Sequence, residues 1–212
     1  MNTWAHGIAI GLQVIALGSG LTPGQRQQMV AYLATSHGPP VITTVFLHPG
    51  EGRFMGCASL ETSERDGGLS VHVYHITQVR APMYRAVLET AGMNKGSVVI
   101  AAPYGIPGIH VLPALWAAAR LAHEPVNPHV QHDAQEELAV MSQLTHHGHD
   151  AAGVVRLVTV LTQLAKRTPN LSAPQRAAEV ERLARQCQVS ATAVQRQQLA
   201  DAIWQTLRDQ QA

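Results

Sequence analysis

Histidine has the widest chemical range of the side chains in this sequence, and the 212 residues include 12 of them. An imidazole can bind a metal ion or transfer a proton. The densest group is His146, His147 and His149, followed directly by Asp150. These are ligand types for zinc or nickel, but neighbouring residues in a turn rarely converge on one ion without a ligand from another element. We interpret the turn as a polar linker and keep a metal-dependent enzyme as an alternative.

The segment of residues 103–110 is a second place where chemistry could occur. It follows an apolar strand pattern and precedes a helical pattern, and open α/β sheets bind ligands at such strand ends. His110 would lie near the helix start, where it could donate or accept a proton, and Tyr104 lies in the same segment. These two are the candidate catalytic residues. The prolines and glycines of the segment equally suit a loop that only turns the chain.

Positive charge is concentrated at the C-terminal end, although the whole chain has a net charge of +1. Residues 1–150 contain 7 Lys and Arg against 10 Asp and Glu, a net of −3. Residues 151–212 contain 8 against 4, a net of +4. The sequence therefore indicates that an anionic partner would bind through residues 151–212.

Residues 183–196 within this basic segment resemble a helix-turn-helix motif. An alanine in the first helix, a turn and a Val-Ser pair precede the second helix, and the spacing predicts packing through Ala184, Val189 and Val194. Gln188 occupies the turn position where glycine is usual. The resemblance implies these candidate contacts with nucleic acid: Arg182, Arg185, Thr192, Gln195 and Arg196. The alternative interpretation is a pair of antiparallel helices with solvated arginines.

The centre of the chain, residues 41–92, contains three apolar runs separated by turn residues. The runs cover residues 41–48, 53–61 and 69–77, and the turns lie at 49–52 and 66–68. This pattern predicts three strands joined by two hairpins, followed by a helix at 82–90. Strand alternation predicts one face with Val71, Val73 and His75 and the other with His72, Tyr74 and Ile76. Because both faces are largely apolar, we expect this third strand to be central in the sheet.

The remaining patterns complete an α/β fold. We expect strands at 8–17 and 97–102, and helices that begin at Thr22 and near residue 110. Four further helices are expected at 133–144, 151–166, 173–187 and 191–209. The predicted order is β-α-β-β-β-α-β-α, forming a mixed twisted sheet of about five strands, with a C-terminal all-helical module. The predicted domains are an α/β domain at 1–124 and a basic helical module at 125–212.

The order of elements over residues 10–122 resembles that of the Gcn5-related N-acetyltransferase family. Residues 52–60, Gly-Arg-Phe-Met-Gly-Cys-Ala-Ser-Leu, resemble its second hairpin. The resemblance implies acetyl-CoA as a possible cofactor, bound through its pyrophosphate at the start of the helix after the fourth strand. The family pattern there is Gln/Arg-x-x-Gly-x-Gly/Ala; here Gln78 matches, and Ala81 and Met83 stand at the later positions. The cofactor-binding residues that it implies are Gln78, Arg80, Ala81 and Arg85.

Composition limits the location and partners of the chain. Charged residues make up only 14% of it, which suits an oligomer or a subunit of a complex, although a surface of uncharged polar residues would serve equally well. The two cysteines, Cys57 and Cys187, are too few for a disulfide framework, so we expect a reducing cytoplasm. The absence of Lys and Arg before residues 8–17 predicts that there is no secretory signal. No long apolar run predicts a membrane span.

Three functional hypotheses follow from these patterns. The first is a non-catalytic subunit or adaptor that binds nucleic acid or a protein partner through the basic helical module. The second is an acyl-CoA-dependent N-acyltransferase. The third is a metal-dependent enzyme that uses the His-rich turn.

Overall fold

The computed structural model describes residues 12–34, 40–46, 54–62, 68–146 and 150–210. Within these ranges the first part of the chain contains β1 (Gln13–Gly18), α1 (Pro23–Leu33), β2 (Val41–Val45), β3 (Cys57–Glu61) and β4 (Leu69–Thr77). The middle contains α2 (Ala81–Thr90), β5 (Gly96–Pro107), a 3-10 turn (Gly108–His110) and α3 (Leu112–Leu121). The last part contains α4 (Pro128–His146), α5 (Ala151–Arg167), α6 (Ala173–Gln186) and α7 (Ala193–Asp209).

The five strands form one mixed sheet in the order β2-β1-β3-β5-β4. β1 pairs parallel with β2 and antiparallel with β3, while β5 pairs antiparallel with β3 and parallel with β4. The predicted mixed α/β fold with a C-terminal helical segment is confirmed. The prediction of two hairpins is wrong, because β1 lies between β2 and β3, and β5 lies between β3 and β4.

Strand β4 is an edge strand of the described sheet, so the prediction that it is central is also wrong. His72, Tyr74 and His75 are exposed, and Val71 and Val73 are half-buried. A β-bulge between Tyr74 and Ile76 shifts the alternation, and His75 there has a φ of 55°. The shift brings Ile76 onto the face of Val71 and Val73, opposite to the face predicted for it.

Strand β5 is longer than predicted, and this changes the segment at residues 103–110. It continues to Pro107, and its last residues pair with β4 at Ile76–Ile106 and Thr77–Pro107. The segment predicted as a loop is therefore largely strand, followed by the 3-10 turn that leads into α3.

Helices cover both faces of the sheet, but unequally. One face carries α1 and a small apolar cluster that includes Ile15, Leu17, Met29, Leu33 and Cys57. The other face carries α2 and α3, whose buried side chains join the main apolar core. The same core continues into α4, α5, α6 and α7 without interruption.

The helix starts agree well with the sequence signals. Thr22 and Gln25 form a reciprocal capping box at the start of α1, and Ser172 with Gln175 forms another at α6. A third capping box, between Thr192 and Gln195, starts α7. Each box supplies hydrogen-bond partners to backbone N–H groups that the first helical turn leaves unpaired.

The C-terminal helices pack as a bundle against α2. Helix α7 buries Leu199, Ile203, Trp204 and Leu207, and the Trp204 Nε1–H donates to the Thr168 carbonyl at 3.1 Å. The predicted domain boundary at 124 and 125 falls in the connection between α3 and α4, and whether either part folds alone stays a prediction. Among the described residues, no helix has the length and apolar character to cross a membrane.

Candidate functional site: a cleft between helices α3 and α4

A cleft of about 1010 Å³ lies where the α/β part of the chain meets the helical bundle. Its walls come from the end of β2, the 3-10 turn, α3, the connection between α3 and α4, and the first turns of α4. The residues that line it are Val45, Phe46, His110, Pro113, Trp116, Ala117, Arg120, Pro125, Val126, Pro128, Gln131, His132 and Gln135. Its volume is in the range of pockets that hold small ligands or short peptide segments.

The 3-10 turn that carries His110 packs against Tyr84 of α2 and against Val79. The hydroxyl of the buried Tyr84 donates a hydrogen bond to the Gly108 carbonyl, and burial raises the pKa of Tyr84. A Cβ at Gly108 would lie 2.6 Å from that hydroxyl oxygen and 2.7 Å from the Val79 Cβ, so only glycine fits here. The turn therefore sits tightly on α2 and presents His110 at the rim of the cleft.

The floor of the cleft is apolar and rigid. Trp116 on α3 is 7% exposed, and Val126 is half-buried against the main core. Three of the lining residues are prolines, at positions 113, 125 and 128, whose fixed φ angles restrict the backbone around the cleft. Phe46, just past the end of β2, is 77% exposed. The cleft thus offers an aromatic and aliphatic surface to a ligand.

The titratable groups that line the cleft are all of the basic type: His110, Arg120 and His132. No aspartate or glutamate is among the described lining residues. The His132 Nε2 lies 3.3 Å from the Glu136 carboxylate one turn further along α4. The exposed Arg120 side chain forms no ion pair within the described part of the chain. The guanidinium of Arg120, which is positively charged at any working pH, therefore gives the cleft a group that could bind a negatively charged part of a ligand.

The two candidate catalytic residues are not brought together. His110 lines the cleft, whereas Tyr104 is on the exposed end of β5 and is not among the lining residues. No carboxylate, serine or cysteine is among the described lining residues of the cleft that His110 borders. The described site therefore lacks the nucleophile–base pair that covalent catalysis requires.

The candidate cofactor-binding residues lie at the start of α2. Arg80 is the N-terminal cap residue without a side-chain capping bond, and Ala81 is the first helical residue. Gln78 has a φ of 67°, and the Arg85 Nε is 2.8 Å from the Glu89 carboxylate. None of these four residues lines the cleft or the two smaller clefts, of about 610 and 420 Å³, found elsewhere on the described surface.

The candidate nucleic-acid contacts are all occupied by interactions within the helical bundle. Thr192 and Gln195 form the capping box of α7. Arg182 pairs with Glu179 at 2.7 Å, while Arg185 and Arg196 both lie 3.7 Å from the Glu181 carboxylate. Arg196 also donates to the Ala191 carbonyl at 2.7 Å. These side chains would have to give up local partners in order to bind phosphate.

The turn between α6 and α7 resembles the predicted motif in part. Ala184 and Val189 are buried, as expected, but Val194 is 65% exposed, so its predicted packing role is wrong. Val194 lies in the first turn of α7, on a face that is exposed to solvent. Gln188 has a φ of 58°, the left-handed conformation that usually selects glycine.

The candidate metal ligands cannot be placed. His147 and His149 lie outside the described residues, and only the backbone of His146, at the end of α4, is described. Within the described ranges there is no group of three or more His, Cys, Asp or Glu residues that could hold a metal ion.

Sequence reasoning missed most of the cleft. Trp116, Arg120, His132 and Phe46 come from three separate parts of the chain, and His110 was the one candidate catalytic residue among the lining residues. The available signal was the recurrence of proline at positions 113, 125 and 128 around two helix starts. Prolines at helix starts are common, so this signal alone does not indicate a cleft.

The fold and the cleft define a class of protein: an α/β domain with a mixed five-stranded sheet, joined to a helical bundle, with a basic and aromatic cleft where the two meet. The chain belongs to the family described as "Protein of unknown function (DUF1002)", which matches residues 49–210. It is similar to "Uncharacterized protein YpuA" of Bacillus subtilis (strain 168), with 22% identity over 187 residues. That similarity covers 82% of this chain and 63% of the relative, so the chain spans less than two thirds of the relative's length. No solved structure matches the chain.

Proposed function

We propose that the protein is a non-catalytic binding subunit that holds an acidic protein segment in the cleft between α3 and α4. The observation that carries the proposal is the combination of an apolar floor around Trp116 with lining side chains whose titratable members are all basic. Acidic peptides with apolar side chains match both features. One wall belongs to α4, so the helical module takes part in recognition.

A protein partner is favoured over nucleic acid by about 1 kcal/mol or less for each exposed ion pair, because the basic side chains on α6 and α7 already have glutamate partners. Binding of nucleic acid depends on cationic side chains that can replace the counterions of the phosphates. Arg182, Arg185 and Arg196 are each paired with a glutamate of α6. The Arg120 guanidinium in the cleft forms no such pair in the described part of the chain. We keep duplex DNA as an alternative ligand for the turn between α6 and α7.

Acyl-CoA is the second alternative, because it combines phosphates with apolar groups and so shares the charge and polarity of the proposed ligand. The resemblance to acetyltransferases assigns it to the start of α2, whereas its chemistry would also suit the cleft. The metal-dependent alternative rests on the His-rich turn, which lies outside the described residues apart from the backbone of His146.

The test measures binding of a short fluorescent peptide of glutamate and leucine by anisotropy, with a lysine and leucine peptide of the same length as its control. We expect the acidic peptide alone to bind, and Arg120→Glu to weaken its binding by about tenfold or more, equivalent to ~1.4 kcal/mol. Arg156→Glu on the exposed face of α5 changes the net charge equally and should leave binding unchanged.

Duplex DNA and acetyl-CoA are measured in parallel. Binding of DNA that is lost in Arg196→Glu but kept in Arg120→Glu would replace the proposal with the nucleic-acid alternative. Binding of acetyl-CoA in competition with the acidic peptide would assign the cleft to an acyl-CoA ligand. Equal loss of peptide binding in Arg120→Glu and Arg156→Glu would mean that only net charge matters, and the cleft would not be the site.

The cytoplasm is the location that we propose, on the basis of the two thiols. Both Cys57 and Cys187 are free, and Cys57 is buried. A fusion of the full-length natural protein to a reporter that is active only in the cytoplasm would test this, since an inactive reporter would contradict it.

A further inference from the structure

The α3 wall of the large cleft is a single face of that helix. The residues of α3 that line the cleft are Pro113, Trp116, Ala117 and Arg120. Residues that lie three, four and seven positions apart share one face of an α-helix. At a rise of ~1.5 Å per residue, the stripe from Pro113 to Arg120 is about 10 Å long. The cleft is therefore a groove that runs along α3.

The α4 wall repeats this spacing. The residues of α4 that line the cleft are Pro128, Gln131, His132 and Gln135. The Gln131 Nε2 donates to the Val126 carbonyl, in the connection between the two helices, at 2.7 Å. Arg120 lies in the last turn of α3, just before the same connection. Arg120 and Gln131 therefore lie near the end of the groove that the connection closes.

The two glutamines of the α4 wall have polar groups that are free to bind a ligand. Gln135 is exposed and makes no hydrogen bond in the described part of the chain, and there no donor reaches the Oε1 of Gln131. A ligand that covers these amides must pair them, because unpaired polar groups cost binding free energy. The backbone of a helical ligand cannot do so, since its N–H and C=O groups are bonded to one another. An extended backbone offers both groups.

The spacing of the wall residues also fits an extended ligand. Residues four positions apart on an α-helix are ~6 Å apart along its axis, and residues two positions apart on an extended chain are ~6.6 Å apart. Gln131 and Gln135 are four positions apart, as are Trp116 and Arg120. Alternate residues of one extended segment therefore meet successive turns of each helix.

We propose, on the basis of the function proposed above, that the acidic protein segment binds in an extended conformation, with an acidic and an apolar residue two positions apart. The acidic side chain pairs with the Arg120 guanidinium, whose forked donors match a carboxylate. The apolar side chain packs on the floor of the groove beside Trp116 and Ala117. Gln131 and Gln135 bind the backbone of the segment.

The test compares two fluorescent peptides of the same composition, each with two leucines and two glutamates in a serine background. In the first peptide these four residues alternate with serine, so that they share one side of an extended chain. In the second they lie three, four and seven positions apart, so that they share one face of a helix. We expect the first peptide to bind the natural chain at least about tenfold more tightly by anisotropy.

Three variants assign the contacts. Arg120→Glu should prefer an alternating peptide with lysine in place of glutamate, by at least about tenfold, which a merely structural role of Arg120 would not produce. Gln135→Ala should weaken binding of the alternating acidic peptide by about fivefold, because one hydrogen bond is lost. The matched control Gln163→Ala, at an exposed position of α5, should leave binding unchanged. Circular dichroism confirms that each variant is folded.

The outcomes separate this inference from the proposed function. If the helix-spaced peptide binds as tightly as the alternating peptide, or more tightly, the extended conformation is wrong and the acidic ligand stands. If Gln135→Ala binds like the natural chain, the backbone contact is wrong and the extended conformation is overturned as well. If neither acidic peptide binds, the proposed function itself fails.

Discussion

Glu137 is a fully buried carboxyl group in the interior of the helical bundle, and it predicts an unusual dependence of stability on pH. It lies on α4, and neither carboxylate oxygen has a hydrogen-bond partner among the described residues. Burial raises the pKa of Glu137 to about 8, and the negative charge of Asp133 makes a smaller contribution in the same direction. The nearby Thr90 hydroxyl opposes the shift by more than Asp133 adds to it, but by less than burial raises the pKa.

The sign and size of the effect follow from linkage. A carboxyl whose pKa is raised in the folded state keeps a proton that the unfolded chain has lost, so stability falls as pH rises. The pKa rises from 4.5 to about 8, and each unit corresponds to ~1.36 kcal/mol. The contribution of protonated Glu137 to the stability of the fold is fully present below pH 4.5, and it is completely lost above pH 8. Between pH 5 and pH 9 we expect Glu137 to lower the free energy of unfolding by about 4 kcal/mol.

The assay is urea denaturation at five pH values between 5 and 9, at constant ionic strength, for the natural chain and for Glu137→Gln. Glutamine has nearly the same shape and no charge, so the variant should lose this part of the pH dependence. Asp133, whose pKa is also raised by burial, remains in both proteins, and the difference between them therefore reports Glu137 together with its coupling to Asp133. The quantity to compare is the slope with pH, because the buried amide of the variant has its own unpaired groups.

Parallel stability curves for the two proteins over this pH range would refute the reasoning. Such a result would mean that the carboxyl is hydrated or paired in solution, and that its pKa stays near that of the unfolded chain. A difference between the two curves that changes by about 4 kcal/mol from pH 5 to pH 9 would support it.

Three further predictions concern the turn between α6 and α7 and the two thiols. Gln188→Gly should stabilise the fold by about 0.5–1 kcal/mol in thermal denaturation, because the φ of 58° at this position strains any residue with a Cβ. The control Ala178→Gly, at an exposed position of α6, should destabilise the fold by about 1 kcal/mol. Equal losses in both would contradict this. Thr192→Ala removes the hydroxyl that accepts from the Gln195 N–H at 3.2 Å, and it should lower the free energy of unfolding by about 1 kcal/mol in urea denaturation. An unchanged midpoint would show that the capping box contributes nothing to stability. Burial raises the pKa of the Cys57 thiol to about 11, so under native conditions Cys187 should react first with a disulfide reagent. Cys187→Ser should therefore abolish the fast phase of the thiol reaction.

Local signals in the sequence predicted the elements well. The capping boxes at Thr22, Ser172 and Thr192 are formed by residues three positions apart, so the sequence contains the whole interaction. Strand β4 was predicted with both of its ends correct, because alternation and flanking turn residues are also local. The bulge at His75 was missed, since it depends on how β4 meets β5.

The order of the strands could not be predicted in the same way. Turn residues indicate that the chain changes direction, but they do not say which strands pair. β1 separates β2 from β3 although it precedes both in the sequence, and that choice depends on contacts between distant residues. The cleft has the same origin, because Phe46 and His132 are 86 positions apart and become neighbours only after the sheet and the bundle meet.

Helix α4 links the buried carboxyl to the proposed binding site, because its two faces carry different groups. His132 and Gln135 face the cleft, while Glu137 faces the core formed with α2, α5 and α7. Ionisation of Glu137 places an unpaired charge on the buried face of α4, and α4 forms one wall of the cleft. As the pH rises from 5 to 9 we therefore expect the opening of α4 to become more frequent relative to that of α1, which packs on the far face of the sheet.

Hydrogen exchange measures this opening directly. The intrinsic exchange rate rises with pH in every amide, so each α4 amide is compared with the same amide in Glu137→Gln at the same pH. Because Glu137 releases its proton on opening at any pH above about 4.5, we expect faster exchange in α4 of the natural chain at pH 6 and a larger difference at pH 9, with no difference in α1 at either pH. If α1 and α4 accelerate together, the charge destabilises the whole fold, and the cleft wall does not respond on its own. If neither accelerates, ionisation of Glu137 is not coupled to the position of α4.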